Sequence, residues 1–363
     1  IGSPLLSFLL CSLCTPLQYL FHAFTEENVQ TKNLYEGYQL LACDGSNLTI
    51  APNLNDPETL WKSNQLGATG NHLHLNALYD VLNRTYIDAL VQTASTYQEH
   101  RACIQMIERV TLDKVILIAD RGYENYNIMS HAIEKGWKFL IRIKDVHSNG
   151  IASGLELPQT AVFDMDINLI LTRNQTKSKK QAGYKFMPTV QTFDYLPIGS
   201  KEDYPISFRI ARFKIADDSY ETVITNLDRF CFSAEKLKEL YHLRWGIETS
   251  FRELKYAIGL TSFHAKKVDY IKQEIFARLT LYNYCELITT YVVEHTENIS
   301  KKNQVNFTIA IYICREYLRR KRKLRPPDVV KLIEKHILPI RPGRRDPRKV
   351  KPQASVSFLY RVA

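Results

Sequence analysis

The stretch Val115-Ile-Leu-Ile-Ala-Asp-Arg-Gly-Tyr123, continued as far as Trp137-Lys-Phe-Leu-Ile-Arg-Ile143, decides the fold class. Residues 115–119 are an uninterrupted apolar run, which is typical of a buried strand. Residues 124–135 have the periodicity of a helix that ends at Gly136, and residues 137–143 form a further strand. Strand, helix and strand in succession indicate an α/β core built in layers.

The segments on either side extend this pattern. Upstream, apolar alternation and helical periodicity predict three strands and a helix. The predicted strands are residues 38–43 with 48–50, residues 72–82 and residues 86–92, and the predicted helix is 98–110. Turns are predicted at 44–47, 53–57 and 83–84. Downstream, short alternating runs among Gly, Pro, Ser and Lys predict a β-rich insertion. Helical patterns follow at 233–291, 307–322 and 327–337.

We therefore predict an α/β fold with five parts along the chain. They are an N-terminal helical remnant with a linker (1–34), the first part of the core (35–147), a β-rich insertion domain (148–227), the second part of the core (228–300) and a basic helical C-terminal region with its tail (301–363).

The net charge of +10 is concentrated near the C-terminus. Residues 315–351 contain 15 Lys and Arg but 4 Asp and Glu, so this segment carries +11 and the remainder about −1. Dense positive charge suits a polyanion such as nucleic acid, because each neutralised phosphate releases counterions. Charge alone leaves a solvated surface or tail as the alternative.

Several features bear on the compartment. The chain has no run of about 18 apolar residues, so we predict no membrane span and a cytoplasmic protein. Residues 4–13 resemble a signal-peptide core without a basic residue before it. The chain begins with Ile1, from which we expect that an N-terminal part is missing. Seven scattered cysteines favour a reducing compartment, and Cys11 with Cys14 is a weak zinc candidate.

Two aspartates, Asp44 and Asp120, stand at matching points of the predicted strands. Each follows an apolar run directly and is followed within two positions by glycine. A carboxylate at the end of a buried strand is held rigidly while its oxygens still reach solvent, as a metal ligand requires. A strand-ending Asp-Gly turn is the alternative interpretation of either residue alone.

The segment 241–255 places four polar residues on one predicted helix face. At about 100° per residue, Tyr241, Arg244, Glu248 and Lys255 fall within an arc of roughly 60°. This arc borders an apolar stripe, so the four side chains lie beside the core. The stripe consists of Leu240, Leu243, Ile247, Phe251, Leu254 and Ile258. A purely structural Arg244–Glu248 pair is the alternative.

These residue types together suit a phosphodiester. Arg244, Lys255 and Tyr241 can hold phosphate oxygens. The two aspartates and Glu248 form a set of oxygen donors, which favours Mg²⁺ or Mn²⁺ over zinc. Two such ions would activate water or a 3′-hydroxyl and stabilise the leaving oxygen in an in-line displacement at phosphorus. The sequence therefore predicts metal-dependent chemistry on nucleic acid.

The same residues resemble the signature of the IS4 family of DDE transposases, which are encoded by bacterial insertion sequences. The pattern Tyr, two residues, Arg, three residues, Glu, six residues, Lys is filled by the four residues of segment 241–255. The first aspartate of the family is matched at Asp44 in LLACDGS, and the second at Asp120 in DRGY. A Thr-Asn-Leu motif is matched at 225–227. The resemblance runs from about residue 35 to the end.

This resemblance implies a ribonuclease H-like catalytic core, with the β-rich insertion between the second aspartate and the glutamate. It implies that Asp44, Asp120 and Glu248 are catalytic and bind two Mg²⁺ or Mn²⁺ ions. The implied reaction is cut-and-paste excision and strand transfer by a homodimer in the bacterial nucleoid. The implied partners are double-stranded DNA of the transposon inverted repeats and of the target, without a membrane.

Further residues gain implied roles in DNA binding. Contacts with DNA are expected from Tyr241, Arg244, Lys255, Arg121, Arg319, Arg320 and Arg322. An aromatic residue of the insertion would stack on a flipped base. The candidates are Tyr184, Phe186, Tyr195 and Tyr204.

Two alternatives stay open. Relatives usually carry an N-terminal helical region that recognises the inverted repeats, whereas only about 34 residues precede the core in this sequence. If that region is absent, the chain would be a non-catalytic DNA-binding relic of a truncated transposase. The other alternative is a ribonuclease H-like nuclease without strand transfer.

Overall fold

The structure is a computed structural model that describes residues 15–29, 32–62, 69–146, 148–179, 183–217, 219–295, 303–321 and 325–339. None of the helices within these ranges combines the length and apolar character needed to cross a membrane.

One mixed sheet of ten strands organises the described residues, and strand β1 (Gln39–Ile50) has three of these strands on one side and six on the other. On one side of β1 lies β3 (Thr69–Asp80), which is antiparallel to it. The outer edge of β3 pairs with both β2 (Leu60–Lys62) and β4 (Thr85–Thr93).

On the other side of β1, strands β5 (Val115–Ala119) and β6 (Lys138–Arg142) follow in parallel. These are the two apolar runs from which the fold class was predicted. The sheet then continues through strands that lie in the predicted β-rich insertion. In order across the sheet they are β10 (Ser219–Thr225), β9 (Asp203–Ala216), β7 (Phe163–Thr172) and β8 (Tyr184–Phe186). The insertion strands therefore extend the core sheet.

Helices cover both faces of the sheet because the side chains of each strand alternate between the faces. In chain order they are α1 (Pro16–Glu27), α2 (Glu99–Arg109), α3 (Tyr126–Glu134), α4 (Ala234–His242), α5 (Trp245–Tyr256), α6 (Val268–His295), α7 (Phe307–Arg319) and α8 (Val329–Glu334). Cys43 of β1 packs in one core with α2 and α3, whereas its neighbour Ala42 packs in another with α5 and α6. Two short strands, β11 (Asn303–Val305) and β12 (Ile337–Pro339), pair beside α7 and α8.

This architecture confirms the predicted α/β fold. The described C-terminal helices α7 and α8 lie in the predicted basic helical region. The division of the chain into five parts stays a prediction.

The predicted turn at residues 44–47 is wrong. β1 passes straight through these residues, and its pairing with β3 is continuous from Leu41–Asp80 to Ile50–Asn71. Asp-Gly-Ser-Asn has a local preference for turns, but a long antiparallel ladder with a distant strand outweighs it.

The predicted helical region at 233–291 is divided into α4, α5 and α6. Between α4 and α5 the amide of Arg244 bonds to the carbonyl of Tyr241 at 3.1 Å, and the amide of Ile247 to that of Arg244 at 3.1 Å. These bonds to the third preceding residue tighten the chain into a 3₁₀-like junction. Tyr241 therefore lies on α4, Arg244 in the junction, and Glu248 and Lys255 on α5, so the prediction of a single helix is corrected.

Candidate active site

Asp44 and Asp120 lie side by side because β1 and β5 are parallel neighbours in register. Cys43 pairs with Ala119, so the next residue along each strand is one of the two aspartates. Neighbouring strands are about 4.8 Å apart, so the backbones of the two aspartates lie close together where β5 ends. The parallel pairing explains why two aspartates separated by 76 positions meet.

A glycine amide orients each aspartate. The backbone N–H of Gly45 donates to Oδ1 of Asp44 at 2.8 Å, and that of Gly122 donates to Oδ1 of Asp120 at 2.8 Å. A Cβ atom at Gly45 would lie 2.2 Å from Nε2 of His74 and 2.8 Å from Oε1 of Glu99. A side chain at position 45 would therefore force the side chains of His74 and Glu99 to move.

Arg244 connects Glu248 to the aspartates. Its Nη2 atom donates to Oε1 of Glu248 at 2.7 Å, and its Nη1 atom lies 3.7 Å from Oδ2 of Asp44. Arg244 is 6% exposed, whereas the side chain of Glu248 is 39% exposed. The junction between α4 and α5 therefore places a buried positive charge between two carboxylates from distant parts of the chain.

The electrostatics of Asp44 reflect this crowding. Burial raises the pKa of its carboxyl to about 6, and the negative charges of Asp120 and Glu248 act in the same direction. The hydrogen bond from Gly45 and the charge of Arg244 oppose this rise in pKa. The three predicted acids are thus close enough to influence one another, and Arg244 partly neutralises them.

Two further residues of the signature offer polar groups beside the acids. The hydroxyl of Tyr241 is buried without a hydrogen-bond partner in the described residues, and burial raises its pKa, so it is a neutral donor. Lys255 lies on α5 and is half-buried, and burial lowers its pKa. Within the described ranges no carboxylate forms an ion pair with Lys255. The buried Tyr241 hydroxyl and the half-buried Lys255 ammonium therefore have no competing partner of this kind among the described residues.

The residues fit a divalent cation by their chemistry. Three carboxylates supply hard oxygen donors of the kind that Mg²⁺ and Mn²⁺ prefer. In the part of the chain that the structure describes, no group of three His, Cys, Asp or Glu side chains converges closely enough to enclose a metal ion. The guanidinium of Arg244 lies where Asp44 and Glu248 would otherwise face each other. Metal binding by these three acids stays a prediction.

The other predicted DNA-binding residues lie outside this cluster of side chains. Arg121 is exposed on the turn that follows Asp120. Arg319 lies at the end of α7, where its Nη1 atom is 3.5 Å from Oε1 of Glu316 on the same helix.

The guanidinium of Arg320 lies just beyond α7, with its central carbon 4.7 Å from the ring centroid of Tyr317. Arg319 and Arg320 therefore contribute positive charge at the end of this helix rather than beside the acids. Arg322, residues 341–351 and the pair Cys11 and Cys14 lie outside the described residues.

The four candidate aromatics of the insertion do not reach the acids in this chain. Tyr184 and Phe186 belong to β8, which is five strand spacings from β5, or about 24 Å across the sheet. The ring of Tyr195 contacts that of His131 at 4.9 Å, and the hydroxyl of Tyr204 donates to Glu134 at 2.7 Å. The last two therefore pack against α3, and a stacking role for any of the four stays a prediction.

The Thr-Asn-Leu motif at 225–227 holds the sheet together. Oδ1 of Asn226 accepts from the amide of Phe139 at 2.8 Å, and its Nδ2 donates to the carbonyl of Trp137 at 3.1 Å. The hydroxyl of Thr225 donates to the carbonyl of Phe139 at 2.6 Å. These bonds connect the end of β10 to the start of β6, whereas Asp120 follows the opposite end of the neighbouring parallel strand β5.

Sequence reasoning overlooked Trp245, which begins α5 beside Arg244. It is 53% exposed, and its ring centroid lies 5.1 Å from the guanidinium carbon of Arg244. It also overlooked His74 and Glu99, which pack under Gly45. A tryptophan inside a polar signature was a visible signal, but nothing in the sequence links His74 or Glu99 to Gly45.

The sequence of this chain is similar to those of known proteins. Residues 35–284, more than half of the chain, match the family model described as the transposase DDE domain. A probable transposase for insertion sequence element IS5377 from Geobacillus stearothermophilus is 23% identical over 178 residues, which are 48% of this chain and 40% of that protein. The chain therefore matches less than half the length of this relative.

A solved structure is also similar to the chain. It is the cryo-EM structure of a piggyBac transposase synaptic complex with hairpin DNA, with 10% identity and a TM-score of 0.49. The similarity covers 89% of this chain and 63% of that one. The family match contains both aspartates and the whole of segment 241–255. The chain belongs to the family of transposase DDE domains.

Proposed function

We propose that this protein is a metal-dependent DNA transposase that excises an insertion sequence and joins it to target DNA by a cut-and-paste reaction. The observation that carries the proposal is the position of Arg244 between Asp44 and Glu248, with Asp120 beside Asp44. Acids that repel one another, gathered at the end of a rigid sheet, are typical of a site built to bind charge.

The three acids are held by different structural elements. Asp44 and Asp120 are fixed by the sheet and by glycine amides, whereas Glu248 is carried by a helix and is more exposed. Asp44, Asp120 and Glu248 would together hold two Mg²⁺ or Mn²⁺ ions. When bound, such ions supply activation of a water or a 3′-hydroxyl and stabilisation of the leaving oxygen.

The remaining polar residues would bind the DNA backbone. The guanidinium of Arg244 can exchange a carboxylate for a phosphate, because both accept the same paired hydrogen bonds. The unpartnered hydroxyl of Tyr241 would donate to a phosphate oxygen, and the ammonium of Lys255 would supply a point charge. Arg121, on the turn after Asp120, would contact the adjacent backbone.

Double-stranded DNA is the proposed partner, as transposon inverted repeats and as target. The basic end of α7, including Arg319 and Arg320, supports this through its charge. We also propose that two copies act together as a homodimer, since cut-and-paste excision frees both ends of one element.

The test uses the full chain, Mg²⁺ and DNA that carries the inverted repeats flanking its gene. Cleaved ends and joined products are expected. Glu248→Gln should abolish both while DNA binding persists, because the change removes a charge without removing phosphate contacts. Glu239→Gln, at an exposed position of α4, is the matched control.

Other outcomes would contradict the proposal in distinguishable ways. Cleavage without joining would support the nuclease alternative. DNA binding without cleavage would support the non-catalytic relic. Full cleavage by Glu248→Gln would remove Glu248 from the catalytic set.

A further inference from the structure

The glycine that orients Asp120 is itself held by a residue of another helix. The N–H of Gly122 donates to Oδ1 of Asp120 at 2.8 Å. The carbonyl oxygen of the same glycine lies 2.6 Å from Nε2 of His100, which belongs to the first turn of α2. Gly122 therefore connects an imidazole to one of the two aspartates of the candidate active site.

The neighbours of His100 select one form of its ring. A carbonyl oxygen can only accept a hydrogen bond, so Nε2 of His100 carries a proton and donates to Gly122. On the other side of the ring, Nδ1 lies 3.2 Å from Nδ2 of Asn125. Oδ1 of Asn125 accepts from the amide of Asn127 at 2.7 Å, which turns the NH₂ group of Asn125 toward the imidazole. A neutral ring with its proton on Nε2 satisfies both contacts.

Four hydrogen bonds thereby follow one another toward Asp120. They run from the amide of Asn127 to Asn125, from Asn125 to His100, from His100 to the carbonyl of Gly122, and from the amide of Gly122 to the carboxylate. Each step has one donor and one acceptor, and a polar network whose members are all satisfied is rigid. The series joins the start of α3, the first turn of α2 and the turn that follows β5.

Helix α2 is a firm support for His100 because its other face lies in the core. Cys103 and Ile107 of α2 are fully buried. They pack in the same core as Cys43 and Ala119, the residues that directly precede the two aspartates. The helix and the ends of both strands are therefore parts of one packed unit.

The first turn of α2 contacts the glycine that follows each aspartate. Glu99 lies under Gly45, where a Cβ atom would be 2.8 Å from Oε1 of Glu99. The next residue, His100, bonds to Gly122. Two consecutive residues of one helix thus contact both segments that carry the aspartates, so α2 is placed to fix these segments relative to each other.

His100 can be replaced without emptying the core. Its side chain is half-buried and lines a cavity of about 760 Å³ between α2 and residues 190–192. A substitution at this position removes a hydrogen bond but little apolar packing, and the loss of a packed core is what makes most substitutions severe. The hydrogen bond to Gly122 can therefore be tested separately from the fold.

We propose that His100 is a positioning residue for Asp120. Through Gly122 it fixes the orientation of a carboxylate that would bind divalent cations together with Asp44 and Glu248. This inference rests on the proposed function. Within the described part of the chain, His100 bonds to none of the three acids, so its effect passes through Gly122. Groups that orient a metal ligand change metal affinity by about 10- to 100-fold.

The experiment compares His100→Leu with His100→Gln in the full chain. Leucine fills a similar space without a donor, whereas the amide of glutamine can donate to the carbonyl of Gly122 as Nε2 does. In a calorimetric titration with Mn²⁺ in the presence of DNA, His100→Leu should bind the metal about 10- to 100-fold more weakly than the parent. His100→Gln should retain most of the affinity. Both variants should bind DNA as the parent does, because the phosphate contacts are unchanged.

A second measurement needs no metal. Without divalent cations, hydrogen exchange of the Gly122 amide should be faster in His100→Leu than in the parent, because the turn after β5 opens more often. Exchange in β1 and β5 should not change. The matched control is Gln105→Leu, which changes another half-buried polar residue of α2 on the wall of the same cavity. This control should bind Mn²⁺ and exchange at Gly122 as the parent does.

The outcomes separate this inference from the proposed function. If the parent binds Mn²⁺ and His100→Leu binds it equally well, the inference is wrong while the metal site stands. An equal loss in His100→Gln or in Gln105→Leu also overturns it, because the hydrogen bond to Gly122 would not be the cause. Faster exchange throughout β1 and β5 in His100→Leu would assign the loss to general destabilisation and overturn it as well. If the parent binds no Mn²⁺, the proposed function fails and this inference fails with it.

Discussion

Arg244 donates a hydrogen bond of 2.7 Å to the carboxylate of Glu248, four residues further along the chain. The same guanidinium lies 3.7 Å from Asp44, a residue of strand β1. Because Arg244 is almost fully buried, this contact is more than a surface ion pair. The protein thus supplies its own positive charge to a group of acids that would otherwise repel one another.

Replacing Arg244 tests whether DNA cleavage requires its planar guanidinium group. Arg244→Lys keeps a positive charge but cannot reach two groups at once with paired hydrogen bonds. We expect DNA cleavage to slow by about 100-fold or more, the scale seen when one transition-state donor is lost. Arg252→Lys, at an exposed position of α5, should cleave normally. Equal rates for the two variants would assign Arg244 no role in the reaction.

The raised pKa of Asp44 predicts a pH-dependent effect on stability. The folded-state pKa of about 6 exceeds the ordinary value of 3.8, so the folded state binds the extra proton between these values. Stability therefore falls as pH rises from about 4 to about 6, and the cost is full above that range.

Asp44→Asn should remove this cost. In the absence of divalent cations, its free energy of unfolding near pH 7.5 should exceed that of the parent by on the order of 3 kcal/mol. Near pH 4 the two proteins should differ little. Urea denaturation at both pH values measures the difference. A gain of the same size at both would show that ionisation of Asp44 is not its cause.

The basic end of α7 predicts a dependence of DNA binding on salt. Replacing Arg319, Arg320 and Lys321 together with Gln should weaken binding to all sequences. The slope of log affinity against log salt should become shallower by about 0.9 for each phosphate contact removed. A matched variant replaces three exposed lysines elsewhere, Lys201, Lys214 and Lys238. If both variants lose affinity equally, general charge explains the binding and α7 has no special role.

The contact of Arg84 with the buried Glu286 predicts a loss of stability when Arg84 is replaced. Nη2 of Arg84 lies 2.8 Å from Oε1 of Glu286 and 3.2 Å from Oε2 of Glu253. Glu286 is 2% exposed, so Arg84→Met would leave a buried carboxylate without its partner. We expect a loss of roughly 3 kcal/mol in chemical denaturation, and a smaller loss for Arg84→Lys. A loss below about 1 kcal/mol would show that water or a proton satisfies Glu286.

The sequence predicted those parts of the fold that depend on local pattern. The apolar runs at 115–119 and 137–143 are strands β5 and β6, since burial on both faces leaves a continuous apolar signal. Residues 44–47 were mispredicted because their strand conformation comes from pairing with residues 74–77, which no local pattern records. The continuation of the sheet from β6 into β10 is likewise a long-range pairing.

The candidate site likewise contains features that the sequence predicts and features that only long-range contacts create. Asp44, Asp120 and Glu248 were found from motif and spacing, and the structure brings them near one another. The 3₁₀-like junction at Arg244 was not predicted. A constant angle of about 100° per residue assumes one continuous helix and cannot show a local change of pitch. The packing of His74 and Glu99 under Gly45 is a contact between distant segments and leaves no pattern in the sequence.

The most direct test of the central claim is a calorimetric titration of the full chain with Mn²⁺ in the presence of DNA. We expect the parent and Glu239→Gln to bind Mn²⁺ equally, and Asp44→Asn, Asp120→Asn and Glu248→Gln each to lose most of the bound metal. Undiminished Mn²⁺ binding by all three variants would contradict the claim that these acids form a shared metal site.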